Sequence, residues 1–360
     1  MKSQRLPWIL LGLALFGALI GFFLSTERSL SFYSEADAKI ELEASDLAAQ
    51  VDSDFPVRSN DQIGIQDLAY PSNAIPGELV FHFDSRQDYL AYLKALTNAG
   101  IAPLGQIDEL LALRIPERAL LRANLAHSAA RASYSYQIER PLPPVEIDPE
   151  ALANLRHYGL SARAITGGTV AGQGEGVIVA ILDSGIQAHS QFDDIYIAPI
   201  DLVGCGVAGR GAAHGTSVAS IITGREGIAP AAELFVVRVL DDEGLGNSYD
   251  VAQGIVQAVD LGVQIINMSL GVYQDAALLR QAIKYADDRG VIMVAAAGND
   301  GYNRMPYPAA YPPVLAVTAV DAGGQHALFS NQSKEIDFAA PGVGVLTAKE
   351  DKGTTLFSGT

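Results

Sequence analysis

A single cysteine, Cys205, in a chain of 360 residues excludes an internal disulfide framework and a cysteine-rich zinc site. Basic residues are also scarce. Lys and Arg number 24 against 41 Asp and Glu, a net charge of −17, and this shortage of positive charge argues against nucleic acid as a partner. Internal repeats and strongly biased tracts are lacking too. What is present is a globular composition, 49% hydrophobic and 18% charged, which excludes wholesale disorder. The length suits one large or two modest domains with a substantial core.

One long apolar run stands at the start. Lys2 and Arg5 precede an unbroken stretch from Pro7 to Leu24, 18 residues in all. That exceeds a usual signal-peptide core and just suffices to span a bilayer. The basic flank stays cytoplasmic by the positive-inside rule, which puts the rest outside. Ala36-Asp37-Ala38 is a distant cleavage candidate, so residues 1–26 read as a signal peptide or a membrane anchor. The protein is expected to be extracytoplasmic, either membrane-anchored through residues 7–24 or secreted or periplasmic. Residues 27–75 read as an acidic linker, with nine acidic and three basic residues between Glu27 and Asp61.

A small α+β domain is predicted over residues 76–145. Glu78–Phe83 reads as a strand. Ser85 opens a helix with Asp88 as a weak capping partner, Tyr89, Leu93 and Leu96 share its apolar face, and Gly100 ends it. Leu110–Ile115 is a second strand, Pro116–Ala126 a second helix and Tyr134–Ile138 a third strand. Pro141, Pro143 and Pro144 form a stiff exit.

From residue 146 to 360 the pattern changes to alternating strands and helices. Strands are predicted at Val177–Leu182, Leu234–Leu240, Val263–Met268, Val291–Ala297 and Val314–Val320. Helices are predicted at His214–Thr223, Tyr249–Asp260 and Ala276–Arg289. Continuous apolar strands alternating with helices imply a doubly wound parallel α/β sheet. In such sheets the working residues lie just past the carboxyl ends of the strands.

Those ends carry polar groups. Asp183 closes Ile181-Leu182-Asp183-Ser184-Gly185, His214 opens His214-Gly215-Thr216-Ser217, Ser269-Leu270-Gly271 closes another strand, and Asn299 follows Ala295-Ala296-Ala297-Gly298. Singly, each has a mundane reading: Asp-Ser-Gly and Asn-Asp-Gly are turn signals, and a lone histidine is usually structural. Their joint occurrence in this order carries the weight. Cys205 reads as a small buried thiol. Gly204-x-Gly206-x-x-Gly209 matches the dinucleotide fingerprint literally, which keeps a dinucleotide-binding α/β protein as a lesser alternative.

Together with Tyr307-Pro308-Ala309-Ala310-Tyr311-Pro312, Phe329-Ser330-Asn331, Ala339-Ala340-Pro341-Gly342 and Phe357-Ser358-Gly359-Thr360, these pieces resemble the subtilisin-like serine proteases, the subtilase family, from about Gly174 to Thr360. The resemblance implies a serine endopeptidase acting on proteins or peptides. His214 would take the nucleophile's proton, Asp183 would hold the imidazole, and the Asn299 side chain would stabilise the oxyanion. Gly244, Leu245, Gly246, Ser269, Leu270 and Gly271 would hold substrate as an added strand. Ala295, Ala296, Ala297 and Gly298 would line part of the primary pocket, and Asp300 beside it suggests a preference for basic side chains. The small domain resembles the family's propeptide, with maturation expected between about residues 140 and 165 at an exposed Pro-rich linker.

In the family the last motif reads Gly-Thr-Ser. Here Gly359-Thr360 is the final pair, so the nucleophilic serine is expected as the next residue. The 1–360 chain by itself is expected to be inactive, with Ser358 no substitute. A truncated subtilase that only binds peptide or its own propeptide is the alternative. No cofactor is expected. The connection from Thr223 to Pro230 lacks the longer calcium loop of many relatives, which leaves Asp193, Asp194 and Asp201 as weak candidates for a structural calcium.

Overall fold

The computed structural model describes residues 71–119, 130–141, 160–165, 173–321, 323–349 and 353–360. The predicted apolar run at residues 7–24 and most of the acidic linker lie outside the described residues. Among the described residues no helix is long and apolar enough to cross a membrane. The described residues fall into two compact units, one ending at Tyr136 and the other beginning at Gln137.

The first unit contains β1 (Glu78–Phe83), α1 (Arg86–Asn98), β2 (Gly105–Ile107), β3 (Ala112–Pro116) and β4 (Ala130–Ser133). Its sheet has the order β2-β3-β1-β4 with antiparallel pairs throughout. The Ser85 hydroxyl accepts the Asp88 N–H at 3.1 Å, the cap expected from the sequence. The buried face of α1 is Tyr89, Tyr92 and Leu96, with Leu93 only partly buried. Tyr92 takes the inner position because its ring packs against Phe81 and Phe83, with centroids 5.6 and 5.2 Å away. Of the strand predicted over Tyr134–Ile138, only Gln137 and Ile138 lie in a strand, and residues 134–136 connect it to β4. The chain leaves β4 at Ser133 and resumes at Gln137 in a different sheet. Pro116 closes β3 and the predicted helix follows it directly, with 117–119 helical; residues 120–126 of that predicted helix lie outside the described residues.

The second unit is built on seven parallel strands: β6 (Ile178–Asp183), β7 (Ile197–Asp201), β8 (Glu233–Arg238), β10 (Ile265–Met268), β11 (Ile292–Ala296), β12 (Val314–Val320) and β13 (Phe338–Pro341). Their order is β13-β12-β11-β10-β6-β8-β7, every neighbouring pair parallel. Both faces are covered. Val179 and Ile181 join the cluster containing Val218, Ile221 and Ile222 of α2 (Ala213–Ile222). On the opposite face Leu182 and Val237 meet α3 (Ser248–Asp260) at Gly254, where an added Cβ would lie 3.4 and 3.0 Å from their side chains. Helix α4 (Ala277–Asp287) lies beside α3. This is the predicted doubly wound α/β class. β7, an edge strand that alternation did not reveal, carries Pro199, tolerated at an edge because only one side needs ladder donors.

Strand order reverses between β6 and β10. From β6 the chain goes out to β7 at the edge and returns to β8 beside β6, then runs from β10 to β13 on the other side. A crevice outside the carboxyl ends of strands belongs at such a reversal point. Asp183 ends β6 and Ser269 follows β10.

Candidate active site

Asp183 and His214 come from different elements and meet because the backbone permits close approach. Helix α2 brings Gly215 against the turn after β6, where an added Cβ would stand 2.1 Å from the Gly185 carbonyl and 3.2 Å from Asp183 Oδ1. Only glycine fits there, and the preceding residue, His214, is thereby seated on the carboxylate. His214 Nδ1 lies 2.7 Å from Asp183 Oδ1. Asp183 Oδ1 also accepts the Ser184 N–H at 2.7 Å. Since the carboxylate only accepts, the Nδ1 proton sits on the ring and Nε2 is the basic atom. Both side chains are at most 1% exposed. Nε2 is buried with no hydrogen-bond partner among the described residues, an arrangement that leaves one costly unmet acceptor in the crevice.

The loop leading into α2 is braced from behind by Arg238, which is fully buried. Its Nε donates to Leu240 O at 3.0 Å, Nη1 to Gly206 O, and Nη2 to Asp242 Oδ1 at 2.7 Å. The Arg238 hydrogen bond, with help from the Gly211 N–H, holds the Asp242 carboxyl below the usual range. This loop contains the glycines of the dinucleotide fingerprint. Asp201 already takes the N–H groups of Val203, Gly204 and Gly206 at 3.0, 2.9 and 2.6 Å. A pyrophosphate would need those same donors, so the fingerprint does not form a phosphate cradle. Cys205 is exposed rather than buried. It sits at the tip of this polar loop, where its small size was a poor guide to burial.

Asn299 lies past the end of β11, with 9% exposure. Its Oδ1 accepts from Thr360 N at 3.0 Å and from Thr360 Oγ1 at 2.9 Å. These bonds turn the acceptor end of the carboxamide toward Thr360 and aim the NH2 end elsewhere. Thr360 Oγ1 also accepts the Gly298 N–H at 3.1 Å. Ser358 Oγ is engaged elsewhere, accepting the Gly344 N–H at 3.0 Å. Ala295 and Ala296 are inside β11, while Ala297 and Gly298 leave it; the three alanines are almost fully buried. The Asp300 carboxylate accepts from Tyr273 Oη at 2.5 Å. That bond raises the Tyr273 hydroxyl pKa further, after burial as the main cause.

The predicted substrate edges are both occupied, and by the chain itself. β5 (Gln137–Glu139) pairs antiparallel with β9 (Leu245–Asn247), placing Ile138 opposite Gly246. On its other side Glu139 exchanges both backbone bonds with Gly271, at 3.2 and 2.9 Å, and the Arg140 N–H reaches Gly244 O at 3.1 Å. Residues 137–140 are thus a central strand between two edges, with Ile138 fully buried. Ser269 and Leu270 are buried beneath.

Among the described residues no group of three or more acidic, His or Cys side chains could hold a metal ion. Asp193 and Asp194 face Arg225 at 3.9 and 3.8 Å, and Asp201 accepts backbone N–H groups.

A sequence profile of the subtilase family, Peptidase_S8, matches residues 174–360, more than half of the chain. The chain belongs to the subtilase family. This subtilase is 41% identical over 197 residues to the thermostable alkaline protease of Halalkalibacterium halodurans, covering 52% of this chain and 53% of that protein. It is 40% identical over 178 residues to Subtilisin Savinase of Lederbergia lenta, covering 48% and 66%. It is 37% identical over 198 residues to the minor extracellular protease Epr of Bacillus subtilis, covering 52% and 30%. The chain thus spans about half the length of the first curated relatives it matches. Fervidolysin of Fervidobacterium pennivorans, described as a keratinolytic enzyme related to subtilisin, shares the fold with a TM-score of 0.65 over 79% of this chain and 52% of its own, at 24% identity.

Proposed function

We propose that this subtilase is a serine endopeptidase that cleaves proteins outside the cytoplasm, with the serine nucleophile at the position following Thr360. The observation that carries the reading is the 2.7 Å pair of Asp183 and His214, with a buried Nε2 that has no hydrogen-bond partner among the described residues. In this reading His214 Nε2 removes the serine proton as the hydroxyl attacks a peptide carbonyl. Asp183 holds Nδ1–H and stabilises the imidazolium without taking its proton. The Asn299 NH2 donates to the developing oxyanion while its Oδ1 accepts the two bonds from Thr360. His214 then passes the proton to the leaving amine, the acyl-enzyme forms, and water repeats the cycle. Substrate enters as an antiparallel strand between β9 and Gly271. Ala295 to Gly298 form one wall of the primary pocket.

Residues 76–145 are the propeptide in this reading, and residues 137–140 are its inhibitory strand. They lie on the edges that a substrate must use. The same observation would suit a chain that only binds its own segment, so the test must detect turnover. The complete reading frame is expressed and assayed on casein and on a fluorogenic peptide. Hydrolysis that a fluorophosphonate blocks stoichiometrically at the residue after Thr360, and that His214→Ala lowers by about 10⁴-fold or more, is expected. A codon other than serine after Thr360, or hydrolysis untouched by His214→Ala, overturns the reading.

A further inference from the structure

We propose that Asn331 is the positioning residue of the oxyanion donor: it clamps the loop on both sides of Asn299 and so fixes where that carboxamide points. This rests on the endopeptidase reading and deepens it. Asn331 is fully buried. A carboxamide offers two N–H donors and an oxygen with two lone pairs, and all four positions are used. Nδ2 donates to Ala297 O at 2.8 Å and to Tyr273 Oη at 2.8 Å. Oδ1 accepts the N–H groups of Asp300 at 3.1 Å and Tyr302 at 2.9 Å. The Asn331 backbone N–H adds a bond to Gly298 O at 2.8 Å.

The pattern brackets a single residue. Ala297 and Gly298 precede Asn299, and Asp300 and Tyr302 follow it; each is tied to Asn331. Gly298 has φ +99°, and a Cβ there would lie 2.4 Å from Asn331 Nδ2. The backbone adopts a conformation reserved for glycine in order to lay the loop on this amide. Asp300, Gly301 and Tyr302 are exposed, so apolar packing does little to hold them, and the hydrogen bonds carry the task. Asn331 is in turn fixed by its own carbonyl, which accepts from Thr318 Oγ1 at 3.2 Å. Tyr273 closes the circuit, accepting from Asn331 and donating to Asp300.

Asn331 touches Asn299's neighbours and acts through them, so its effect exists only while Asn299 is the donor. That gives a test a purely structural role does not pass. In the full-length protease, Asn331→Ala is expected to lower kcat by about 10- to 100-fold, below the ceiling for losing an oxyanion donor, with KM changed less than about threefold. In an Asn299→Ala background the same substitution is expected to cost less than about threefold, a coupling read from the double-mutant cycle. Equal costs in both backgrounds overturn the proposal. If Asn331→Ala does not fold, Tyr273→Phe, which removes one partner of the amide, replaces it in the same cycle. Amide hydrogen exchange of the wild type gives a reading independent of turnover. Asp300 and Tyr302 amides are expected to be protected by about 100-fold or more despite their exposed loop, and exchange at unprotected rates overturns the clamp. A wild type that hydrolyses nothing removes the endopeptidase reading, while the exchange of these two amides still decides the clamp.

Discussion

At the residue scale the sequence marks Asp183, His214 and Asn299 by what surrounds them: each ends or starts an element among small residues. Chain order and small neighbours were legible; the contact between Asp183 and His214 depends on Gly215 meeting Gly185, a tertiary fact. Asn331 was legible only as part of Phe329-Ser330-Asn331, because its four side-chain hydrogen bonds, three to the backbone of the 297–302 loop and one to the Tyr273 hydroxyl, leave no local pattern. Asp300, next to Asn299, accepts the Tyr273 hydroxyl, a contact with no signal in the sequence. Asp183 supports a prediction at this scale. Its Oδ1 fixes the imidazole tautomer, so Asp183→Asn, which can donate where the carboxylate could only accept, should let His214 turn its proton toward the nucleophile. The expected result is a fall in kcat of about 10⁴-fold with KM nearly unchanged. A fall under tenfold in steady-state kinetics would mean that another group is the base.

At the element scale, strands buried on both faces and helices with a cap were legible because hydrophobic period and capping chemistry are local. Val314–Val320 appears with the predicted bounds, and Ser85 caps α1 as read. Edge and short strands were not: β2, β7 and β9 have three to five residues and mixed burial, too short for a period to emerge. Tyr92 illustrates how packing overrides a helical-wheel choice, and its burial has a measurable consequence. Burial pushes its hydroxyl from the ordinary 10.0 up to about 12. The unfolded chain therefore ionises first as pH rises, and the folded unit stays neutral. Stability from this group is complete below pH 10 and is lost as pH rises toward about 12. Tyr92→Phe keeps the ring against Phe81 and Phe83 and removes the ionisation. In urea titrations the variant should lose less stability than wild type between pH 9 and about 11.5, while at pH 7 the two differ by about 1 kcal/mol or less. Parallel losses in both proteins would show that Tyr92 is not the group that titrates.

At the scale of the whole molecule, the sequence separates a small α+β region, residues 76–145, from a parallel α/β region that follows it. Pro141, Pro143 and Pro144 look like a linker, whereas the compact units divide between Tyr136 and Gln137, and the next four residues belong to the larger unit as a paired strand. A strand supplied by the chain itself has a high effective concentration, because its tether removes most of the cost of association. In the proposed reading such a strand excludes ordinary peptides from β9 and Gly271 until the tether is cut and the segment can dissociate. The uncut protease should therefore show a lag, with peptide hydrolysis rising in step with a break downstream of Arg140. N-terminal sequencing of the active form should find its first residue between 141 and about 165, in the Pro-rich stretch where exposed chain is most easily cut. Replacing Ile138, fully buried in the strand, by Asp should loosen the segment and shorten the lag, since a carboxylate there loses its water without gaining a partner. An uncut chain that hydrolyses peptide at the full rate from the first minute would mean that residues 137–140 leave the cleft unaided, and the inhibitory assignment of this strand would fall.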